Sequence, residues 1–382
     1  MPKIKLYNNI AQIGLDQFTP AYEVNENMED EDAILVRSAN LHDIEYNTNL
    51  KAIARAGAGV NNIDIDTCTK KGIAVFNTPG ANSNAVKELV FAGMLLASRD
   101  IYHGIEWIQT QKENENIAKD VEKQKKKYAG HELTGKSLGV IGCGAIGIQV
   151  ANLALRFGMK VYGYDPYMSV DAAWNLSRYV NHVTNIDDLY RQCDFITIHV
   201  PLNDGTKNFI NKDSFDKMKD GVKLLNFARG GLVDEDALLE ALDENKVASY
   251  VTDFPSQKVI QSDKAIAIPH LGASTEESEE NCAVKAAQEL MDYLTYGNIS
   301  NSVNLPNAKM DMNSPFRITC LHENKPKMIS QITDIFKDAN IENLMNKSKK
   351  DIAYTIIDLD SKVDITPIEK INGMIKVSTY KK

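Results

Sequence analysis

Short apolar runs alternate along this chain with longer stretches whose apolar positions recur at helical spacing. Ala33-Ile-Leu-Val36, Ala52-Ile-Ala-Arg55 and Ala74-Val-Phe76 predict brief buried strands. Val86, Leu89, Val90, Met94 and Leu95 then mark one face of a helix over residues 83–97. A second series opens at Ser137-Leu-Gly-Val-Ile141 and continues through apolar runs at 161–164, 195–198, 222–225 and 265–268. Strand–helix alternation of this kind favours parallel sheets with crossover helices. Val284, Ala287, Leu290, Met291 and Leu294 predict an amphipathic helix over 281–296.

Two stretches interrupt the pattern. Residues 109–128 are polar and lysine-rich and read as a solvated helix or loop. Residues 301–315 carry Asn, Ser and two prolines and read as a linker, most clearly over 305–315. Beyond it, Phe316-Arg-Ile-Thr-Cys-Leu321 alternates like a strand, and Met328, Ile329, Ile332, Ile335 and Phe336 form a helical face. Runs at 353–357 and 374–380 supply further strands. The order is βαββαβ, and a unit this small gains stability from packing against a neighbour.

Length and composition narrow the function classes. A chain of 382 residues suits two or three domains, and 43% apolar with 25% charged residues is globular composition. No apolar run is long enough for a transmembrane helix, and residues 1–7 lack a signal-peptide pattern. Five cysteines without a C-x-x-C pair fit free thiols in a reducing cytoplasm better than a disulfide or zinc framework. A net charge of −9 argues against nucleic acid as the main partner.

The first chemical motif is Gly142-Cys143-Gly144-Ala145-Ile146-Gly147, between an apolar strand and a helix. Gly142 permits a tight turn, Gly144 lets backbone approach a pyrophosphate, and Gly147 allows close strand–helix packing. The helix N-terminus offers N–H groups to the phosphates. Asp165 follows Gly147 by 18 residues and can accept both ribose hydroxyl protons. It would repel a 2′-phosphate, so NAD is expected rather than NADP.

Gly142 to Asp165, then His199-Val-Pro-Leu202, Asn226-Phe-Ala-Arg-Gly-Gly-Leu-Val-Asp234 and Pro269-His-Leu-Gly-Ala-Ser-Thr275, resemble the D-isomer-specific 2-hydroxyacid dehydrogenases in matching order. Arg55-Ala-Gly-Ala-Gly-Val-Asn-Asn-Ile-Asp64 and Asn77-Thr-Pro-Gly80 extend the resemblance toward the N-terminus, and residues 316–382 resemble an ACT regulatory domain. The resemblance implies an α/β fold with two Rossmann-like doubly wound domains. The substrate-binding domain is expected over 1–97 and 281–304, the NAD-binding domain over 98–280, and the ACT domain over 316–382. It also implies a homodimer or homotetramer.

Oxidising a 2-hydroxy acid needs a base, a cation for the carboxylate and a hydride acceptor. By resemblance the base is His270 and the cation Arg229, whose guanidinium can grip a carboxylate by two parallel hydrogen bonds. Asp253 matches an aspartate that holds the nicotinamide amide, and His199, Val200, Pro201 and Ala228 match cofactor-lining positions. The family usually places a glutamate before a proline to pair with the histidine. Here the stretch reads Thr252-Asp-Phe-Pro-Ser-Gln-Lys258, which puts Lys258 near the expected carboxylate, with Glu276, Glu277 and Glu279 as alternative partners. Arg37, Ser38 and Arg55 match phosphate-contacting segments, although the second arginine often found near Arg37 is Ala39 here. Ala58 and Gly59 can offer backbone N–H groups to the substrate carboxylate. These matches imply oxidation of 3-phospho-D-glycerate to 3-phosphohydroxypyruvate, the first step of phosphorylated serine biosynthesis. Reduction of glyoxylate or hydroxypyruvate, and NAD sensing without catalysis, are the rival readings. In the ACT region, His322 and Asn324 match serine-contacting positions.

Overall fold

The computed structural model describes residues 1–382. They fold as two compact units, one built from 1–82 with 276–382 and the other from 83–275. No helix is long and apolar enough to cross a membrane.

The first unit contains a parallel sheet of β1 (Lys3–Tyr7), β2 (Glu23–Asn25), β3 (Ala33–Val36), β4 (Ala52–Arg55) and β5 (Ala74–Phe76), in the order β2-β1-β3-β4-β5. Both faces are covered, which is why β3, β4 and β5 read as unbroken apolar runs. Ala286, Leu290 and Tyr293 of helix Glu276–Tyr296 cover one face, with Tyr293 against the Phe76 ring at 5.5 Å. Leu41, Leu50, Ile63 and Ile73 fill the other.

The second unit is a seven-stranded parallel sheet. Its strands are β6 (Ser137–Ile141), β7 (Lys160–Tyr164), β8 (Asn181–His182), β9 (Phe195–Ile198), β10 (Val222–Asn226), β11 (Val247–Thr252) and β12 (Ala265–Ala267). The order β12-β11-β10-β9-β6-β7-β8 is that of a dinucleotide-binding doubly wound sheet, with its switch point between β6 and β9. Helix Ser83–Ser98 belongs to this unit, so the division lies at 82 and 275 where the sequence reading placed it at 97 and 280. The reason is close packing: Val86, Val90 and Met94 enter the core beside Leu225, Phe227 and Val251. A Cβ on Gly93 would sit 2.9 Å from the Phe227 ring. Within 109–128, helix Ile117–Gln124 buries no residue, as a solvated segment should.

The last sheet, within the first unit, is antiparallel: β13 (Phe316–Glu323), β14 (Ile341–Lys349), β15 (Ile352–Leu359) and β16 (Met374–Lys381), ordered β14-β15-β13-β16. With helices Met328–Thr333 and Thr366–Glu369 it follows the βαββαβ order. Ile318, Cys320, Ile357 and Leu359 meet Ile332, Phe336 and Ile368 of the helical side. Leu321, Tyr354 and Ile356, on the opposite face, enter the core that contains Ala54, Phe76 and Leu290. The neighbour that this small unit needs is therefore supplied by its own chain.

Arg317 and Asp358 fasten that junction. Both side chains are fully buried; Arg317 Nε donates to Asp358 Oδ1 at 2.6 Å and Nη2 to Oδ2 at 3.0 Å. Nη1 donates to Tyr296 O at 3.0 Å and to Asn298 Oδ1 at 3.3 Å, and Tyr354 Oη donates to Gly297 O at 2.8 Å. Every charge is thus matched, but removing one partner leaves the other uncompensated. Arg317→Met or Asp358→Leu alone is expected to cost about 3–5 kcal/mol of stability, and the double change to recover most of it. Urea unfolding of the three variants and the parent checks this; a double variant no more stable than either single one contradicts it.

Candidate active site

The fingerprint takes the geometry its glycines demand. Gly142 leaves β6 at φ +90°, where a Cβ would lie 2.7 Å from His199 O, and a Cβ on Gly147 would lie 2.0 Å from Gly142 O. Around Gly144 there is open space instead, and Gly144 caps helix Ala145–Arg156 without a side-chain hydrogen bond. The first N–H groups of that helix, from Ala145, Ile146 and Gly147, are thus not taken by a capping side chain and suit an anion. Asp165 follows β7; Oδ2 accepts from Cys143 N and Oδ1 from Tyr167 N, each at 2.9 Å. A carboxylate has about four lone-pair sites, so both oxygens can still accept a ribose hydroxyl.

Gly142, Gly144, Asp165, His199, Val200 and Pro201 line one cavity of about 620 Å³. Tyr164, Pro166, Tyr167, Asn203, Thr206 and Phe209 also line it, and no motif in the sequence singles these out. The only signal available was that they flank the motifs. Ala228 and Asp253 are not part of this cavity wall; they lie with the reactive groups.

Those groups leave neighbouring strands. Asn226 ends β10 buried and shapes the following turn: its Nδ2 donates to Arg229 O at 2.8 Å, and its Oδ1 accepts from Ala228 N at 3.2 Å. The Arg229 side chain, partly buried, has one amino group on Ala228 O at 2.6 Å and no carboxylate partner. Asp253, after β11, is buried and accepts from Gly272 N at 3.0 Å through Oδ2, while Oδ1 has no partner within the chain. Burial raises its pKa, offset by the Gly272 N–H and the nearby His270 and Arg229 charges. That unmatched oxygen fits the amide of a bound nicotinamide. The three residues, read separately from sequence, are brought together here.

His270 is exposed, and its ring lies 4.4 Å from that of Phe254. Lys258 is not its neighbour by charge: its ammonium pairs with Asp236 at 2.7 Å on the surface. Glu279, one of the alternative partners, is bound to Arg37. The aromatic ring in contact with the imidazole is that of Phe254, tilted by 47° to it.

In the other unit, Arg37 follows β3 and Arg55 ends β4, at one edge of the parallel sheet. Arg55 Nε donates to Arg37 O at 2.9 Å. Asn8 Oδ1 receives both Ser38 N, at 3.0 Å, and Ala39 N, which fixes this turn. The Ala58 carbonyl, beside Gly59, accepts from Asn77 Nδ2 at 2.6 Å. Arg37 was read as a phosphate cation, yet its fork is engaged bidentately by Glu279. His322 is buried, with Nδ1 2.8 Å from Glu323 O and Nε2 2.9 Å from Thr355 Oγ1. Asn324 is exposed and donates to Lys350 O at 3.0 Å. Both read as ligand contacts; here both hold the strand end, Thr355 lying two positions beyond Ala353, the strand partner of His322, and Lys350 in the turn before β15.

His199 is half-buried, with Nε2 3.0 Å from Thr197 Oγ1 and Nδ1 buried without a partner, and burial pushes its pKa down to about 3. As pH falls from about 6.5 toward 3, the unfolded chain binds a proton that the folded protein does not. This group therefore withdraws stability on acidification. The thermal midpoint of His199→Asn should fall less than that of the parent between about pH 6.5 and 4.5; parallel curves would contradict it.

Residues 91–272 match the family model for the NAD-binding domain of D-isomer-specific 2-hydroxyacid dehydrogenases. A D-3-phosphoglycerate dehydrogenase of Methanocaldococcus jannaschii is 36% identical over 343 residues, covering 87% of this chain and 63% of its own length. The chain thus spans less than two thirds of that relative. D-3-phosphoglycerate dehydrogenase 1 of Saccharomyces cerevisiae is 30% identical over 99% of this chain and 86% of its own. The crystal structure of an NAD⁺-bound 3-phosphoglycerate dehydrogenase from Entamoeba histolytica superposes with a TM-score of 0.60 at 29% identity, covering 79% of this chain and 98% of that one. Together with the fingerprint and the grouping of Arg229, Asp253 and His270, these matches show that the chain belongs to the D-isomer-specific 2-hydroxyacid dehydrogenase family.

Proposed function

We propose that the protein oxidises 3-phospho-D-glycerate to 3-phosphohydroxypyruvate with NAD. The observation that carries this is the meeting of Arg229, Asp253 and His270 at strand ends of the sheet that bears the fingerprint. NAD, when bound, supplies the hydride acceptor. The uncapped N–H groups at Ala145, Ile146 and Gly147 hold its phosphates, Asp165 its ribose hydroxyls, and Asp253 Oδ1 its amide. Arg229 orients the substrate carboxylate, having no carboxylate of its own to release. His270 accepts the hydroxyl proton as the hydride departs, and exposure lets it pass that proton to water.

The phosphate end is assigned to Arg55 with the Arg37–Ser38 turn, and the carboxylate end also to the N–H groups near Ala58 and Gly59. The names of the phosphoglycerate dehydrogenases from Methanocaldococcus jannaschii and Saccharomyces cerevisiae support this substrate. One observation favours the unphosphorylated rival, a glyoxylate or hydroxypyruvate reductase: Glu279 already engages Arg37, and Ala39 adds no second cation.

Assembly beyond one chain is part of the reading. Helix Ile101–Gln109 buries no residue and exposes Ile101, Tyr102, Ile105 and Ile108, an apolar stripe suited to a second copy. Five buried free thiols suit a reducing cytoplasm. The βαββαβ sheet is read as the ACT unit, with serine as its effector.

His270→Ala should lower kcat by about 100-fold or more. Arg55→Ala should raise KM for 3-phosphoglycerate about tenfold or more, the worth of a charge-assisted hydrogen bond, and leave KM for D-glycerate nearly unchanged. Steady-state NADH formation measures both; equal KM effects would favour the unphosphorylated rival. Calorimetry with millimolar serine tests the effector, and no heat from the full chain would remove it.

A further inference from the structure

Arg37 and Glu279 are 242 positions apart in sequence, yet one guanidinium Nη1 donates to Glu279 Oε2 at 2.8 Å and Nη2 binds Oε1. A carboxylate and a phosphate present the same two-oxygen edge to an arginine fork. We propose that Glu279 is a built-in stand-in for the substrate phosphate: it holds Arg37 while the site is empty and yields the fork to the phosphate oxygens on binding. The proposal rests on the reading of Arg37 and Arg55 as the phosphate segment and adds to it a residue that sets anion affinity.

Three observations make the exchange feasible. The pair is open to water, with side-chain exposures of 42% and 38%, so it is neither deeply desolvated nor strongly held. The backbone behind it is fixed, with Ser38 N and Ala39 N on Asn8 and Arg37 O on Arg55 Nε, so only side chains need to move. Cations gather near the pair: the Cys282 thiol, raised chiefly by burial, is opposed by a Thr78 hydrogen bond and by the charges of Lys285, Arg37 and Arg55. Glu279 is the carboxylate bonded within this group. It keeps a site made for a dianion from standing open with like charges facing one another.

Glu279 competes with the phosphate for Arg37, so it lowers affinity for anions that reach this arginine and leaves others unaffected. Glu279→Gln keeps the shape and one acceptor but removes the competing charge. It should lower KM for 3-phosphoglycerate about fivefold, the scale of an exposed ion pair, with the change in KM rather than kcat. KM for D-glycerate should not follow, and in an Arg37→Ala background Glu279→Gln should have no effect. Calorimetric titration of the full chain with inorganic phosphate should show the same tightening, whichever acid is oxidised. If Glu279→Gln raises KM for both substrates, the glutamate orients rather than competes and the proposal fails. It also fails if the effect survives in Arg37→Ala. If the phosphate titration behaves as expected but 3-phosphoglycerate is not oxidised, the substrate reading fails and the exchange stands.

Discussion

In a parallel sheet every strand ends on the same side, and this constraint arranges the chemistry of both units. In the second unit, β6 delivers Gly142, β7 Asp165, β9 His199, β10 the turn to Arg229, β11 Asp253 and β12 the approach to His270. In the first unit, Arg37 follows β3, Arg55 ends β4, and Asn77 follows β5. The residues are scattered over more than 200 positions in sequence, yet each needs only a short turn after a strand. Rigid strands place them, and turn residues such as Gly142 and Asn226 aim them.

The C-terminal sheet is tied to this arrangement by polar bonds as well as apolar packing. Arg317 and Tyr354 hold Tyr296 O and Gly297 O, at the end of helix Glu276–Tyr296. The first turn of the same helix carries Glu279, bound to Arg37. A helix of 21 residues is about 30 Å long and stiff, so its two ends cannot shift independently. A change in the C-terminal sheet thus has a mechanical route to the arginine read as a phosphate contact.

Much of this was legible in the sequence, for reasons that differ by residue. Gly142, Gly147 and Asp165 answer to local geometry, so their spacing conveys their task once the strand before them and the helix after them are read with it. Arg229 and His270 stand in short motifs next to strand ends, where any side chain is carried to the sheet edge. Pairings between distant segments were not legible. Nothing near Arg37 announces Glu279, and nothing near Lys258 announces Asp236, since both partners are chosen by the folded surface. Helix Ser83–Ser98 was periodic enough to be recognised, but its apolar face fits either sheet until Gly93 is seen against Phe227.

The missing glutamate is the clearest case of a departure that the fold answers with different physics. A carboxylate orients an imidazole by charge and hydrogen bond; the Phe254 ring can do so only by shape and contact. Phe254 directly follows Asp253, whose position is fixed by Gly272 N, and Gly272 lies two residues beyond His270. The turn that holds the proposed nicotinamide contact therefore also sets the face against which the histidine rests. Orientation by packing asks for a rigid loop, and the buried Asp253–Gly272 bond supplies that rigidity where an ion pair to the histidine would otherwise have served.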